Sequence, residues 1–383
     1  MPNDQQTIDF FQRLVRTVSY NPPGEELAAA ALVAEQARAW GLRTELIPLA
    51  ERRANLIVSL PGESDGPTLL LCAHLDTVPP GEQAWEHDPL GGDLENGVLH
   101  GRGSVDMKGG LAAMLAAMRA LIEDTAELPR GRVRLVCLVG EEVDCFGARR
   151  FLEAGGMHGV AWLVVGEPTN LDLGVAHRGA LWLELVAHGR TAHGSMPHLG
   201  VNAIDHLVEL LRTVRELPIE HRPHPLLAPP TLNVGTIRGG VKTNVVPDRC
   251  TATVDLRTLP GQRHDDLVDA VLSLASDQEE RATGLRLEVW VANDMPPVET
   301  PPDSAAVQMM REVLADLLGA EPTVRGLTYY TDASVLQPPT GVPTIIFGPG
   351  DDRLAHQPNE WADTAQVLAA TRCYAELARR LLS

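Results

Sequence analysis

The chain is short of positive charge. Its 32 lysines and arginines face 51 aspartates and glutamates, for a formal net charge of −19. Such a surface repels polyanions, which argues against nucleic acid and anionic membranes as partners. Long apolar runs are also missing, and no uninterrupted stretch is long enough to span a bilayer. The opening Met1-Pro2-Asn3-Asp4-Gln5-Gln6 has neither a basic n-region nor an apolar h-region, so no signal peptide is expected. Cysteines number only five, an odd count without zinc-finger spacing. Cys72 and Cys137 lie inside apolar runs, where a cysteine acts as a small buried hydrophobe, and Cys145 is read the same way. Together these absences point to a reduced, cytoplasmic, soluble protein. No internal repeat, low-complexity tract or heptad pattern occurs.

What is present is ample core material. The 383 residues are 44% hydrophobic and 22% charged, which supports a globular chain of two domains rather than one. Amphipathic or Ala-rich helices are predicted over residues 7–18 and 25–40, and strands near 43–48, 55–60 and 68–72. A helix over 108–122, a strand at 133–139, a helix at 145–154 and a strand at 161–165 follow. This alternation predicts a mixed, mostly parallel sheet sandwiched by helices. Beyond His177-Arg178-Gly179 the pattern changes to β-α-β-β-α-β: strand 181–188, helix 202–217, strands 231–237 and 249–256, helix 265–276 and strand 285–291. That order describes an inserted ferredoxin-like α+β unit. The alternating style then resumes with a helix at 304–318, a strand at 342–347 and a C-terminal helix at 364–382. The expected domains are therefore a catalytic domain made of residues 1–179 and 295–383, interrupted by a lid over 180–294.

Five metal-ligand types stand at the polar ends of apolar runs or in Gly/Pro-rich turns: His74, Asp106, Glu142, Glu167 and His356. Strand ends of this kind are where an open α/β sheet presents its chemistry. In His74-Leu75-Asp76 the imidazole can bind metal while the Asp76 carboxylate fixes its orientation. Asp106, flanked by glycines, is placed to bridge two ions, with Glu142, Glu167 and His356 completing the two spheres. Imidazole and carboxylate ligands suit zinc, with cobalt or manganese as substitutes. Three ligating carboxylates carry about −3 against +4 for two divalent ions, which favours two ions over one. Glu141 is left without a metal, free to act as general base and then as general acid. Two ions roughly 3.5–4 Å apart would polarise a scissile carbonyl and acidify a water. Taken singly, an HxD pair, a Glu-Glu pair or a Gly-Glu-Pro turn is commonplace; it is the ordered set that carries the reading.

The motifs AHLDTVP, GRGSVDMKGG, GEE, GEPT, AHGSMPHLGVNAI, GGVKTNVVPD, DLR and FGPGD…AHQPNE, in this order, make the whole chain resemble the M20 family of metallopeptidases and amidohydrolases. The resemblance implies two Zn²⁺ per subunit: one on His74 and Glu167, the other on Glu142 and His356, with Asp106 between them. Asp76 would orient His74, Glu141 would be the acid/base, and the peptide after Asp106 would be cis. In the lid, His193 would stabilise an oxyanion in the partner subunit of a homodimer. Asn244, Arg257 and Arg178 would grip substrate, although Arg257 could equally serve in a structural ion pair. Gly348 would shape the pocket floor.

Substrate follows less directly. Thr331-Asp332-Ala333 resembles the Thr-acidic-Ala stretch of acetylornithine deacetylases, whereas desuccinylases carry Asp-Gly-Arg there; Tyr329 and Tyr330 match neither. The implied activity is hydrolysis of an N-acyl, N-acetyl-type amino acid such as N-acetylornithine. The alternatives are a dipeptidase or carboxypeptidase with the same centre, or a desuccinylase acting on N-succinyl-diaminopimelate. A metal-dependent binding protein on the same scaffold would have no use for Glu141.

Overall fold

The computed structural model describes residues 4–61, 65–123 and 131–382. The chain divides into two compact units, Met1–Val175 with Glu299–Gly326 and Thr331–Ser383, and Ala176–Val298 with Leu327–Tyr330. The expected junctions at 179/180 and 294/295 stand a few residues inside the second unit.

The first unit is built around a nine-stranded mixed sheet. Its centre is Arg132–Leu138, Thr68–His74, Val160–Val165 and Thr344–Ile346, all mutually parallel. Thr68–His74 is buried at every position, as its run of Leu69, Leu70, Leu71 and Cys72 requires for a strand covered on both faces. The hairpin Arg43–Ala50 and Arg53–Ser59 adds antiparallel strands beside Arg132–Leu138. Its alternating burial fits a sheet edge. Helix Gly109–Glu123 is buried along nearly its whole length, consistent with its run of Ala, Leu and Met. Gly110 is where that helix meets the sheet: a Cβ there would lie 2.1 Å from the Gly166 carbonyl oxygen, so only glycine admits the approach. The expected fold class is the one observed. No helix among the described residues is long and apolar enough to cross a membrane.

The second unit carries a four-stranded antiparallel sheet in the order Thr231–Gly239, Arg249–Thr258, Gly179–His188, Arg286–Met295. Helices Ala203–Glu216 and His264–Arg281 complete the β-α-β-β-α-β succession. Their apolar stripes, with Leu207, Leu210, Val214 and Val271, close a core on Leu181, Leu183, Leu185, Val254 and Leu256. Asn202 caps the first helix by accepting from the Ile204 and Asp205 amides.

A small third sheet has no counterpart in the periodicity. Asp93–Glu95, Val98–His100 and Trp361–Asp363 pair antiparallel. These strands are too short and polar to alternate visibly. The available signal was the turn dipeptide Asn96-Gly97, whose two positive φ angles of 51° and 83° match a tight hairpin.

Candidate metal centre

The parallel strands bring the separated ligand candidates together past the C-terminal ends of the central strands. His74 ends Thr68–His74; Glu141 and Glu142 follow Arg132–Leu138; Glu167 follows Val160–Val165. Asp106 stands in the turn before helix Gly109–Glu123, and His356 precedes Trp361–Asp363 with a φ of +62°. The Asp106–Met107 peptide is cis, as the resemblance implies.

Asp106 divides its carboxylate between two imidazoles. Its Oδ1 lies 2.9 Å from His74 Nε2 and its Oδ2 lies 3.1 Å from His356 Nε2. Each imidazole meets a second carboxylate, His74 with Glu167 at 3.6 Å and His356 with Glu142 at 2.9 Å. Ligand atoms of His74, Glu141 and Glu167 lie within 4.8 Å of one another, as do those of His74, Asp106 and Glu142. His74 Nδ1 donates to the Asp76 carbonyl at 2.8 Å, which in the neutral ring leaves the Nε2 lone pair facing the carboxylates.

That bond corrects the expected role of Asp76. Its carbonyl, not its carboxylate, orients His74; the nearest carboxylate oxygen is 3.7 Å from Nδ1. The strand ends at His74, so the side chains of residues 74 and 76 no longer share a face. The Asp76 carboxylate instead accepts the amides of Gly140, Glu141 and Glu142 at 3.0, 3.2 and 3.1 Å, and Asn21 Nδ2 at 2.9 Å. It thereby holds the turn that carries Glu141 and Glu142.

Glu360 does the same for Asp106, and periodicity gave no hint of it. Oε2 accepts Arg102 Nη1 at 2.6 Å and the Gly103 amide at 3.0 Å; Oε1 accepts the amides of Val105 and Asp106 at 2.8 and 3.2 Å. Burial raises its carboxyl while Arg102 and these amides oppose the shift. Gly348, expected on a pocket floor, has a tighter constraint: a Cβ would lie 2.5 Å from the carbonyl oxygens of both Gly166 and Glu167. It lets the 348 turn press against the segment that presents Glu167. Asp332 is fully buried and is pushed up to about 7 by burial, while the nearby Cys145 thiol donates to the Glu141 carbonyl at 3.9 Å.

The remaining candidates belong to the second unit. His193 is exposed, with Nδ1 2.7 Å from Ser195 Oγ, and bridges to Val245. Asn244 accepts the Gly194 amide on its carbonyl at 2.8 Å, so the fold brings His193 and Asn244 together while the Asn244 side chain stays exposed. Arg178 donates through Nη2 to the carbonyls of Ala228 and Pro229 at 2.6 and 2.8 Å. Burial, and then the nearby Arg257, depress its basicity. Arg257 pairs with Asp255 at 3.0 Å.

Electrostatics bind the centre together. Burial alone would raise the Asp106 carboxyl, but hydrogen bonds from His356 and His74 hold it well below the usual range. Burial pushes Glu141 and Glu167 well up, each reinforced by neighbouring carboxylates, and raises Glu142 with Asp106 adding to it. Hydrogen bonds to Asp106 and Glu142 lift His356 to about 10. The donor set suits divalent cations: buried carboxylates around two imidazoles are a costly concentration of like charge unless cations or protons offset it.

The fold and its site define the class: a metal-dependent hydrolase on an α/β sheet. Within that class the chain belongs to peptidase family M20/M25/M40, whose model matches residues 70–380. It is 32% identical over 369 residues to the acetylornithine deacetylase of Klebsiella pneumoniae strain 342, covering 93% of each chain. It is 27% identical over 411 residues to a probable succinyl-diaminopimelate desuccinylase of Staphylococcus epidermidis, covering 99% of this chain and 98% of that one. Among solved structures it superposes on a dinuclear metal-binding M20-family peptidase of Bacillus subtilis with a TM-score of 0.75 at 18% identity, covering 99% and 98% of the two chains.

Two outcomes are expected. Asp76→Asn replaces an acceptor of four hydrogen bonds with a group that also donates, and should cost about 1–3 kcal/mol in urea unfolding; unchanged stability would remove its anchoring role. Chelator-stripped protein should be less stable at pH 9 than at pH 6. The raised His356 contributes fully below its unfolded pKa of about 6.5 and loses that contribution as pH rises through about 10. The raised Glu141, Glu142 and Glu167 act in the same direction from their unfolded range upward. Reloading with zinc should flatten this dependence, and a rise in stability from pH 6 to 9 in the stripped protein would contradict it.

Proposed function

We propose that the protein is a two-zinc amidohydrolase that cleaves the amide of an N-acetyl-type amino acid such as N-acetylornithine, releasing the acid and the free amine. The observation that carries this reading is the Asp106 carboxylate, with one oxygen on His74 and the other on His356. His74, Glu167 and Asp106 would hold one ion, and His356, Glu142 and Asp106 the other, with cobalt or manganese as possible substitutes. Bound there, the ions supply Lewis acidity toward the scissile carbonyl and the attacking water.

The protein's own groups do the rest. Glu141 takes a proton from the attacking water and returns it to the departing nitrogen. Its carboxyl, pushed up by burial and by Glu167, is suited to holding that proton between the two steps. Asp76 and Glu360 keep the acid/base and the bridging carboxylate in register. His193 serves as donor to the developing oxyanion, and Arg178, Asn244, Arg257 and Gly348 position the substrate. The dimer belongs to the same reading. It is supported by exposed apolar side chains on the second unit, Val241 at 85% and Leu199 at 55%. A cytoplasmic location is part of this reading and accords with five buried cysteines that are all free.

A second reading has its own support. The matched family is described as a peptidase family, and the desuccinylase relative aligns over nearly the whole chain. A dipeptidase or carboxypeptidase, or a desuccinylase acting on N-succinyl-diaminopimelate, would use the same centre.

Zinc- or cobalt-loaded protein assayed on N-acetylornithine, N-succinyl-diaminopimelate and a dipeptide panel should turn over the acetylated substrate fastest; turnover confined to dipeptides would reverse the assignment. Glu141→Gln should lower kcat by about 10²–10⁴ with KM and zinc content retained. Undiminished hydrolysis by that variant would remove Glu141 from the mechanism. Sedimentation should show a dimer, and a fully active monomer would contradict the proposed placement of His193.

A further inference from the structure

The small three-stranded sheet gathers a second group of metal-ligand side chains. The Asn96-Gly97 hairpin sets Asp93 opposite His100, and His87 comes from the preceding loop to stack its ring on that of His100. The ring centroids are 3.9 Å apart and the planes are inclined by 19°. One ligand atom from each of His87, Glu95 and His100 lies within 4.8 Å of the other two. Asp93 Oδ2 stands 3.5 Å from His87 Nδ1, the kind of contact by which a carboxylate orients a ligating imidazole.

The His100 ring is not accounted for by packing alone. His100 Nδ1 is buried and has no hydrogen-bond partner among the described residues. An unsatisfied buried nitrogen costs about 1–3 kcal/mol unless something occupies it. Two protonated imidazoles stacked at this separation would repel, and burial followed by the neighbouring His87 lowers the His100 pKa. The neutral ring keeps a lone pair available at neutral pH. Two imidazoles and a carboxylate form a donor set for zinc or another late first-row divalent ion, unlike the all-oxygen sets of calcium or magnesium. Ligand atoms around a tetrahedral zinc are about 3.3 Å apart, so closing the set requires rotation of the exposed Glu95 and a tilt of one imidazole out of the stack, because in-plane lone pairs of parallel rings do not meet at one ion.

We infer that His87, Glu95 and His100 form a further divalent-cation site of the zinc type, separate from the carboxylate-bridged centre and independent of the reaction proposed for it. The site has structural leverage. Its sheet continues through His100 into the Gly101–Asp106 turn, and Trp361–Asp363, on its other side, follows Glu360 directly.

The test counts metal, not turnover. Full-length protein is stripped with chelator, titrated with Zn²⁺ by calorimetry, and its bound zinc measured after desalting. Wild type should hold one equivalent more than the His87→Gln/His100→Gln variant. That difference is expected whatever the total, three against two or one against none, so failure of the bridged centre and failure of this site are separable. Glu95→Gln, a surface change that keeps both imidazoles, should weaken the additional site at least 10-fold while circular dichroism is unchanged. Equal zinc content in wild type and the folded double variant overturns the site. If that variant does not fold, unaltered affinity in Glu95→Gln overturns it.

Discussion

Buried like charge is the constraint on which this structure depends. Asp106, from the turn before helix Gly109–Glu123, is drawn together with Glu141, Glu142 and Glu167 past the ends of parallel strands, out of bulk water, with the imidazoles of His74 and His356 against them. Such a cluster is stable only if each carboxylate is held where a counter-charge can reach it. The fold achieves this from behind. Asp76 and Glu360 spend their oxygens on backbone amides of the two turns that carry the acidic groups, so those turns are fixed by hydrogen bonds that do not compete for the site. Close approaches allowed only by glycine, at Gly110 and Gly348, bring helix and loop up to the Gly166–Glu167 segment.

The ligand candidates were legible because each sits where a long apolar run stops. Leu69, Leu70, Leu71 and Cys72 announce a strand buried on both faces, and a histidine directly after such a strand has few purposes in solvent. The second unit was legible for a related reason: its succession of strand and helix periods fits one antiparallel order, which the observed register follows. The groups that hold the site in place were not legible. Glu360 reads as one more acid in a polar segment, because nothing local reveals that its partners are the amides of residues 103, 105 and 106. Asp76 was recognised but given the wrong atoms, since alternation assumes a strand that in fact ends at His74. The stretch Thr331-Asp332, compared with relatives for substrate choice, is buried.

Family membership and substrate rest on different physics. Membership rests on the family model matched over residues 70–380 and on relatives aligned along nearly the whole chain. Relatives named for a deacetylase and for a desuccinylase match this chain to similar extents, so the shared centre does not discriminate between acyl groups.

The Arg102–Glu360 pair joins positions 258 residues apart in the chain, and the His356 loop lies between them in sequence. A growing polypeptide therefore emerges with Asp106, Glu142 and Glu167 long before Glu360, which fastens the Asp106 turn. Loop closure over such a span is among the slowest contacts a chain can form. A chain that ended before residue 356 would thus lack both His356 and the carboxylate that fixes the Asp106 turn.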